Sequence, residues 1–198
     1  MADAEIQEGP PAPSPEELQA RAEADARRRA ALEAIRQYGD PVLKAKARDV
    51  TIFDGGLRSE LDTMGQLMHA AHGVGLAANQ VGTLHRVLVY AVDGGEGPVR
   101  RLVNPRIEWR GAESEVGQEG CLSLPGIHVD VERSVFQRVA ALDEDGEPIT
   151  VEASGFEARI IQHEMDHLDG VLILDRTSRD QRKRALRELR AAAAAADA

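Results

Sequence analysis

The stretch His163-Glu164-Met165-Asp166-His167 sets two imidazoles four residues apart, with a carboxylate directly after the first. On a helix, side chains four apart share one face, so both rings can meet one ion. Glu164 is turned to the side, where it can reach a water held by that ion. Two side chains do not hold a catalytic metal, so a third ligand is needed. The chain has a single cysteine, Cys121, in Gln118-Glu119-Gly120-Cys121-Leu122-Ser123-Leu124-Pro125-Gly126. Gly120 leaves room for close approach, and Leu122, Leu124 and Pro125 suggest an extended segment with a rigid exit. A cation lowers a thiol's pKa, so thiolate is the stable form beside a metal. Cys121, His163 and His167 would leave one coordination position open, which is the catalytic arrangement and not the structural one.

Zinc proteases also carry this histidine pair, but their usual third ligands are missing. The position that would carry a third histidine is Ile173, and Glu188, the one candidate glutamate on a following helix, sits among arginines as solvated surface. A third reading is a non-catalytic metal-containing module that binds peptides. Cleavage of internal peptide bonds tests the protease reading, and the effect of Glu164→Gln on activity separates an enzyme from the binding module.

A glycine-rich stretch, Gly73-Val74-Gly75-Leu76-Ala77-Ala78-Asn79-Gln80, lacks the Lys-Ser or Lys-Thr that ends a phosphate loop. The ordered trio GVGLAANQ, EGCLS and HEMDH closely resembles the peptide deformylase family, from about Ile35 to about Arg190. Asn79 stands where many relatives have proline. The resemblance implies that Cys121, His163 and His167 hold one divalent ion per chain, with Fe²⁺ the expected native metal and Zn²⁺, Ni²⁺ or Co²⁺ as substitutes. It implies Glu164 as general acid/base, and Gln80 and the Leu122 N–H as oxyanion donors. The expected reaction is removal of the N-formyl group from nascent formyl-methionyl polypeptides, releasing formate. A peptide added as a strand along Val74–Leu76 would be read by its main chain, with Gly73, Gly75 and Gly120 leaving that backbone open. The methionine pocket is expected to involve Val74, Ile160 and the stem of Arg159, with Phe156 and His128 at its edge. Glu119 and Arg133 are expected to pair and steady the cysteine segment.

The elements that must position these residues give an α+β expectation: antiparallel strands around a central metal-binding helix, a C-terminal helix and an N-terminal helical extension. Residues 1–34 form that extension, disordered through about residue 13 and then helical, with Ser14 and Glu17 as a capping box. This helix has few large apolar residues and reads as an appendage, either lying on the domain or free in solvent. Residues 35–190 form the catalytic domain, and 191–198 an alanine-rich tail. Helices are expected over 57–72, 155–168 and from Thr177 onward. Strands are expected at 86–92, 101–104, 107–110, 135–142, 148–153 and 171–174, with 143–147 as a hairpin turn.

The chain has 198 residues and a formal charge of −10, which argues against a general nucleic-acid or anionic-membrane binder. Aromatic residues make up only 3%, so the core must rest on aliphatic side chains. One cysteine and an acidic N-terminus without an apolar run suggest a cytoplasmic protein. Between Thr177 and Arg190, six basic side chains stand against Asp180 and Glu188. Two readings of this segment stand: a solvated helix face, or a surface that docks on the ribosome.

Overall fold

The computed structural model describes residues 14–95 and 97–196. The expected disorder of the first 13 residues lies outside this range. Helix α1 (Pro15–Ala34) starts where the sequence predicts. Ser14 Oγ accepts the Glu17 N–H at 3.2 Å, and the Glu17 carboxylate accepts the Ser14 N–H at 2.6 Å. Helix α2 (Gly55–Ala70) is capped by Asp54, whose carboxylate accepts the Gly56 and Leu57 N–H groups. Strands β1 (Gly75–Ala77), β2 (Val87–Tyr90), β3 (Arg100–Arg110), β6 (Phe136–Leu142) and β7 (Pro148–Ser154) form an antiparallel sheet in the order β1-β2-β3-β6-β7. Strands β4 (Ser114–Cys121) and β5 (Leu124–Ser134) form a separate antiparallel ribbon. Helix α3 (Gly155–Leu168) follows β7 directly, and α4 (Ile173–Arg176) and α5 (Arg179–Ala196) complete the chain.

The interior is built on both faces of the five-stranded sheet. Strand β2 is buried throughout, and its residues alternate between two clusters. Val87 and Val89 join Leu61, Met64 and Met68 of α2 on one face. Leu88 and Tyr90 join Ala158, Ile161, Met165 and Leu168 of α3 on the other. A strand covered on both faces has no polar alternation to show, and this is why it reads as a continuous apolar run. A third cluster seals the ribbon: Leu124, Ile127, Val129 and Val131 of β5 pack on Ile173, Leu174 and Ala185.

Two expectations change and two are made specific. The two strands foreseen at 101–104 and 107–110 are one strand, interrupted only by register shifts opposite β6. The strand foreseen at 171–174 is absent, because Ile173–Arg176 is a helical turn, with the N–H of the preceding Leu172 donating to Asp175 Oδ2 at 2.9 Å. The helix expected from Thr177 onward begins at Arg179 and runs through the alanine-rich tail as far as Ala196. Of the two placements open to the N-terminal helix it takes the first, lying on the domain, since Ala31 and Ile35 are buried and Leu32 packs against the same cluster as α2.

Candidate active site

Helix α3 lies against β1 and β2 and carries the histidine pair. Its polar residues Gln162, Glu164, Asp166 and His167 are buried as thoroughly as its aliphatic ones. Cys121 arrives from the end of β4, where a register shift between Gly120 and Cys121 breaks the ribbon's regular pairing. One ligand atom from each of Cys121, His163 and His167 lies within 4.8 Å of the others. Cys121 Sγ is 3.2 Å from His167 Nε2, and the two imidazole centroids are 5.0 Å apart.

Charge around this trio is set by a buried network. Glu119 Oε2 lies 3.0 Å from His163 Nδ1. An ionised carboxylate can only accept, so Nδ1 carries the hydrogen and the Nε2 lone pair is left for the metal side. Arg133 donates to both Glu119 oxygens at 2.9 Å and to Asp166 Oδ2 at 2.5 Å. Arg159 adds a 2.9 Å bond to Glu119 and is itself held by the Val131 and Glu115 carbonyls. Arg176 clamps Asp166 from outside. Burial alone would raise the Glu119 carboxyl, but hydrogen bonds from Arg133 and His163 outweigh it and bring it down to about 2.

Burial opposes charge on both imidazoles. It holds His167 well below its usual range. On His163, hydrogen bonds to Cys121 and Glu119 prevail over burial and hold it well above. An imidazole between a sulfur and a carboxylate is a position that draws positive charge, and a divalent ion satisfies it better than a proton. Burial also pushes Glu164 up to about 7. Glu164 Oε2 is buried without a hydrogen-bond partner in the protein. The donor set and this orphaned oxygen both fit a metal with a water beside it.

The glycine-rich stretch is shaped by the same residues. A Cβ at Gly75 would stand 2.3 Å from Glu164 Oε1, so glycine is what lets the carboxylate lie against β1. Gln80 Oε1 accepts the Ala77 N–H at 2.9 Å. That bond fixes which end of the amide is nitrogen, and Nε2 faces Ser123 Oγ at 3.1 Å and Cys121 Sγ at 3.8 Å. Asn79 is fully buried and donates to the carbonyls of Ala45 and His167. Asparagine at this position therefore holds the end of α3.

These side chains open onto a cleft of about 380 Å³. Val74, Gly75, Gly120, Leu122, Arg159 and Ile160 line it, as do Phe156 and His128. The expected metal, oxyanion, proton-transfer and substrate residues thus lie in the cleft wall, except His167, which touches Cys121 behind it, and Arg133, which pairs with Glu119 there. Ser123, Asp166, Arg176 and the Arg28 and Leu32 contribution from α1 were missed. Ser123 and Asp166 lie inside the two motifs, and their positions two after the cysteine and three after His163 were the available signal. Arg28 gave none.

The family model for polypeptide deformylase matches residues 32–183. Peptide deformylase 1 of Corynebacterium efficiens is 46% identical over 158 residues, covering 79% of this chain and 94% of that protein. Peptide deformylase of Acidothermus cellulolyticus is 46% identical over 162 residues, covering 82% and 88%. The crystal structure of a Synechococcus elongatus peptide deformylase in complex with actinonin superposes with a TM-score of 0.75 at 42% identity, covering 78% of this chain and 85% of the other. Taken with the cysteine and histidine geometry, these matches establish that the chain belongs to the polypeptide deformylase family.

Proposed function

We propose that the cleft hydrolyses the N-formyl group of formyl-methionyl chains, with Cys121, His163 and His167 holding one divalent ion and Glu164 moving the proton. The observation that carries this reading is the convergence of a thiol from the ribbon and two imidazoles from α3 beside the buried Glu164 carboxylate. A divalent ion held there supplies Lewis acidity and lowers the pKa of the water it polarises. Glu164 takes a proton from water as oxygen adds to the formyl carbon, then returns it to the leaving amine nitrogen, and formate departs. Negative charge growing on the formyl oxygen meets the Gln80 Nε2–H and the Leu122 N–H. One such donor is typically worth about 3 kcal/mol in the transition state.

Substrate entry follows from the sheet order. β1 is an edge strand, paired only with β2, and Val74 and Gly75 line the cleft. A peptide laid along that edge bonds through its main chain, which suits an enzyme that must accept many sequences. Val74, Ile160 and the Arg159 stem form the methionine pocket, and Gly120 keeps the opposite wall low. Glu119 and Arg133 hold His163 and the Cys121 segment in place. Sulfur and imidazole donors suit Fe²⁺, Zn²⁺, Ni²⁺ and Co²⁺ alike, and Fe²⁺ is the native ion that the family resemblance implies. Anaerobically purified protein should contain about one metal per chain and release formate from formyl-Met-Ala-Ser. Metal-loaded protein that releases none would defeat the reading.

Helix α5 buries Ala185 on the ribbon and leaves Arg179, Lys183, Arg187 and Arg190 exposed, with no ion-pair partner among the described residues. This unbalanced charge supports docking on ribosomal RNA near the emerging substrate, and with it a cytoplasmic location. No described helix is long and apolar enough to cross a membrane. Truncation after Asp175 tests the idea, with loss of salt-sensitive ribosome association expected and unchanged association contradicting it.

A further inference from the structure

One wall of the cleft reaches ahead of the family match, which begins at residue 32, so that Arg28 lies outside it. Arg28 and Leu32 of α1, four apart and so on one helix face, both line it. The helix is held there by more than its apolar contact. Just beyond it, the Arg36 N–H donates to the Gln80 carbonyl at 2.7 Å and the Tyr38 N–H to the Ser123 carbonyl at 2.9 Å. The chain leaving α1 is thus tied to the two loops that frame the oxyanion side of the site. Arg28 is exposed and has no ion-pair partner among the described residues. The only carboxylates in the wall, Glu119 and Glu164, are 6% and 4% exposed, and Glu119 is held by Arg133 and Arg159. Among the described residues of the wall no carboxylate is exposed, and Arg28 is its one exposed permanent charge. The mouth of the cleft therefore carries an unbalanced guanidinium on a chain of net charge −10.

We propose that Arg28 is a specificity-determining residue, which makes this deformylase favour formyl-methionyl chains carrying a carboxylate side chain within the first few residues after the methionine. The inference rests on the deformylase reading of the site and adds to it a substrate preference supplied by the N-terminal helix. A main chain docked on β1 carries its side chains outward at intervals, and one that ends in a carboxylate meets a guanidinium that no described residue pairs with. The pair forms in solvent, so its effect is modest and falls with salt.

The test is a panel of C-terminally amidated formyl-Met peptides with Glu, Gln or Lys at the second, third or fourth position, so that the side chain is the sole carboxylate. In the native enzyme at low salt, Glu should exceed Lys in kcat/KM by about three- to tenfold at one of these positions, with Gln between. The ratio should persist in Arg28→Lys, fall close to one in Arg28→Ala and invert in Arg28→Glu. A native enzyme that treats Glu and Lys alike at all three positions overturns the proposal, as does a ratio that Arg28→Ala and Arg28→Glu leave unchanged. Formate release from the Gln peptides separates this failure from failure of the deformylase reading, which would show as no release from any peptide, sinking both.

Discussion

Helices α1 and α3 are both rich in polar and charged residues, yet the fold treats them oppositely. Of the 14 residues of α3, nine are buried, whereas α1 buries only Ala31 of 20. The difference lies in partners. Asp166 of α3 meets Arg133 and Arg176, His163 meets Glu119, and Gln162 bonds the Ser134 and Ala158 backbone. A polar helix can enter the interior when nearly every group finds a complement, and the groups left over then mark the chemistry. On α3 these are Glu164 Oε2 and His167 Nδ1. The charges of α1 are solvated, and that helix is held by a short apolar end.

The contrast breaks most sharply at the leftover group. Glu164→Gln keeps the shape of the side chain but removes its ability to carry the proton. Formate release should fall by about 10²- to 10⁴-fold while metal content by elemental analysis stays near that of the native protein. Retained turnover would move the proton-transfer role elsewhere. Next comes the network that permits burial. Arg133→Met leaves Glu119 and Asp166 facing a buried apolar side chain, and should lower stability in urea by about 3–5 kcal/mol. A loss below about 1 kcal/mol would mean that Arg159 and Arg176 suffice to hold those carboxylates.

On α1 the large effects should be confined to its apolar end. Ile35→Ala removes a side chain only 2% exposed, and should cost about 2 kcal/mol. Arg21→Ala, on the solvated face, should change the urea midpoint by no more than about 0.5 kcal/mol equivalent. If the two substitutions cost the same, α1 is not anchored where the buried residues indicate.

The sequence was most legible where a local rule matched the final environment. The Ser14 capping box, the hairpin turn at 143–147 and α3 itself follow patterns contained within a few residues. The cysteine and histidine trio was legible through residue chemistry, because sulfur and imidazole have few other reasons to occur at such places. The β4–β5 ribbon was not. Strand β4 reads Ser-Glu-Val-Gly-Gln-Glu-Gly-Cys, and its one fully buried side chain is the ion-paired Glu119, so no apolar alternation marks it. Val171–Leu174 misled in the opposite way, since a short apolar run looks alike in a strand and in a buried helical turn. Arg28 was illegible because its place in the cleft wall depends on where α1 docks, and the apolar anchor is Ala31, Leu32 and Ile35.

The convergence of Cys121 with His163 and His167 on one ion is tested most directly by X-ray absorption at the metal edge of anaerobically purified, metal-loaded protein. With zinc bound, the account predicts one sulfur neighbour at about 2.3 Å and two imidazole nitrogens at about 2.0–2.1 Å. A first shell of nitrogen and oxygen alone, with no sulfur, in protein that is folded and active would contradict it.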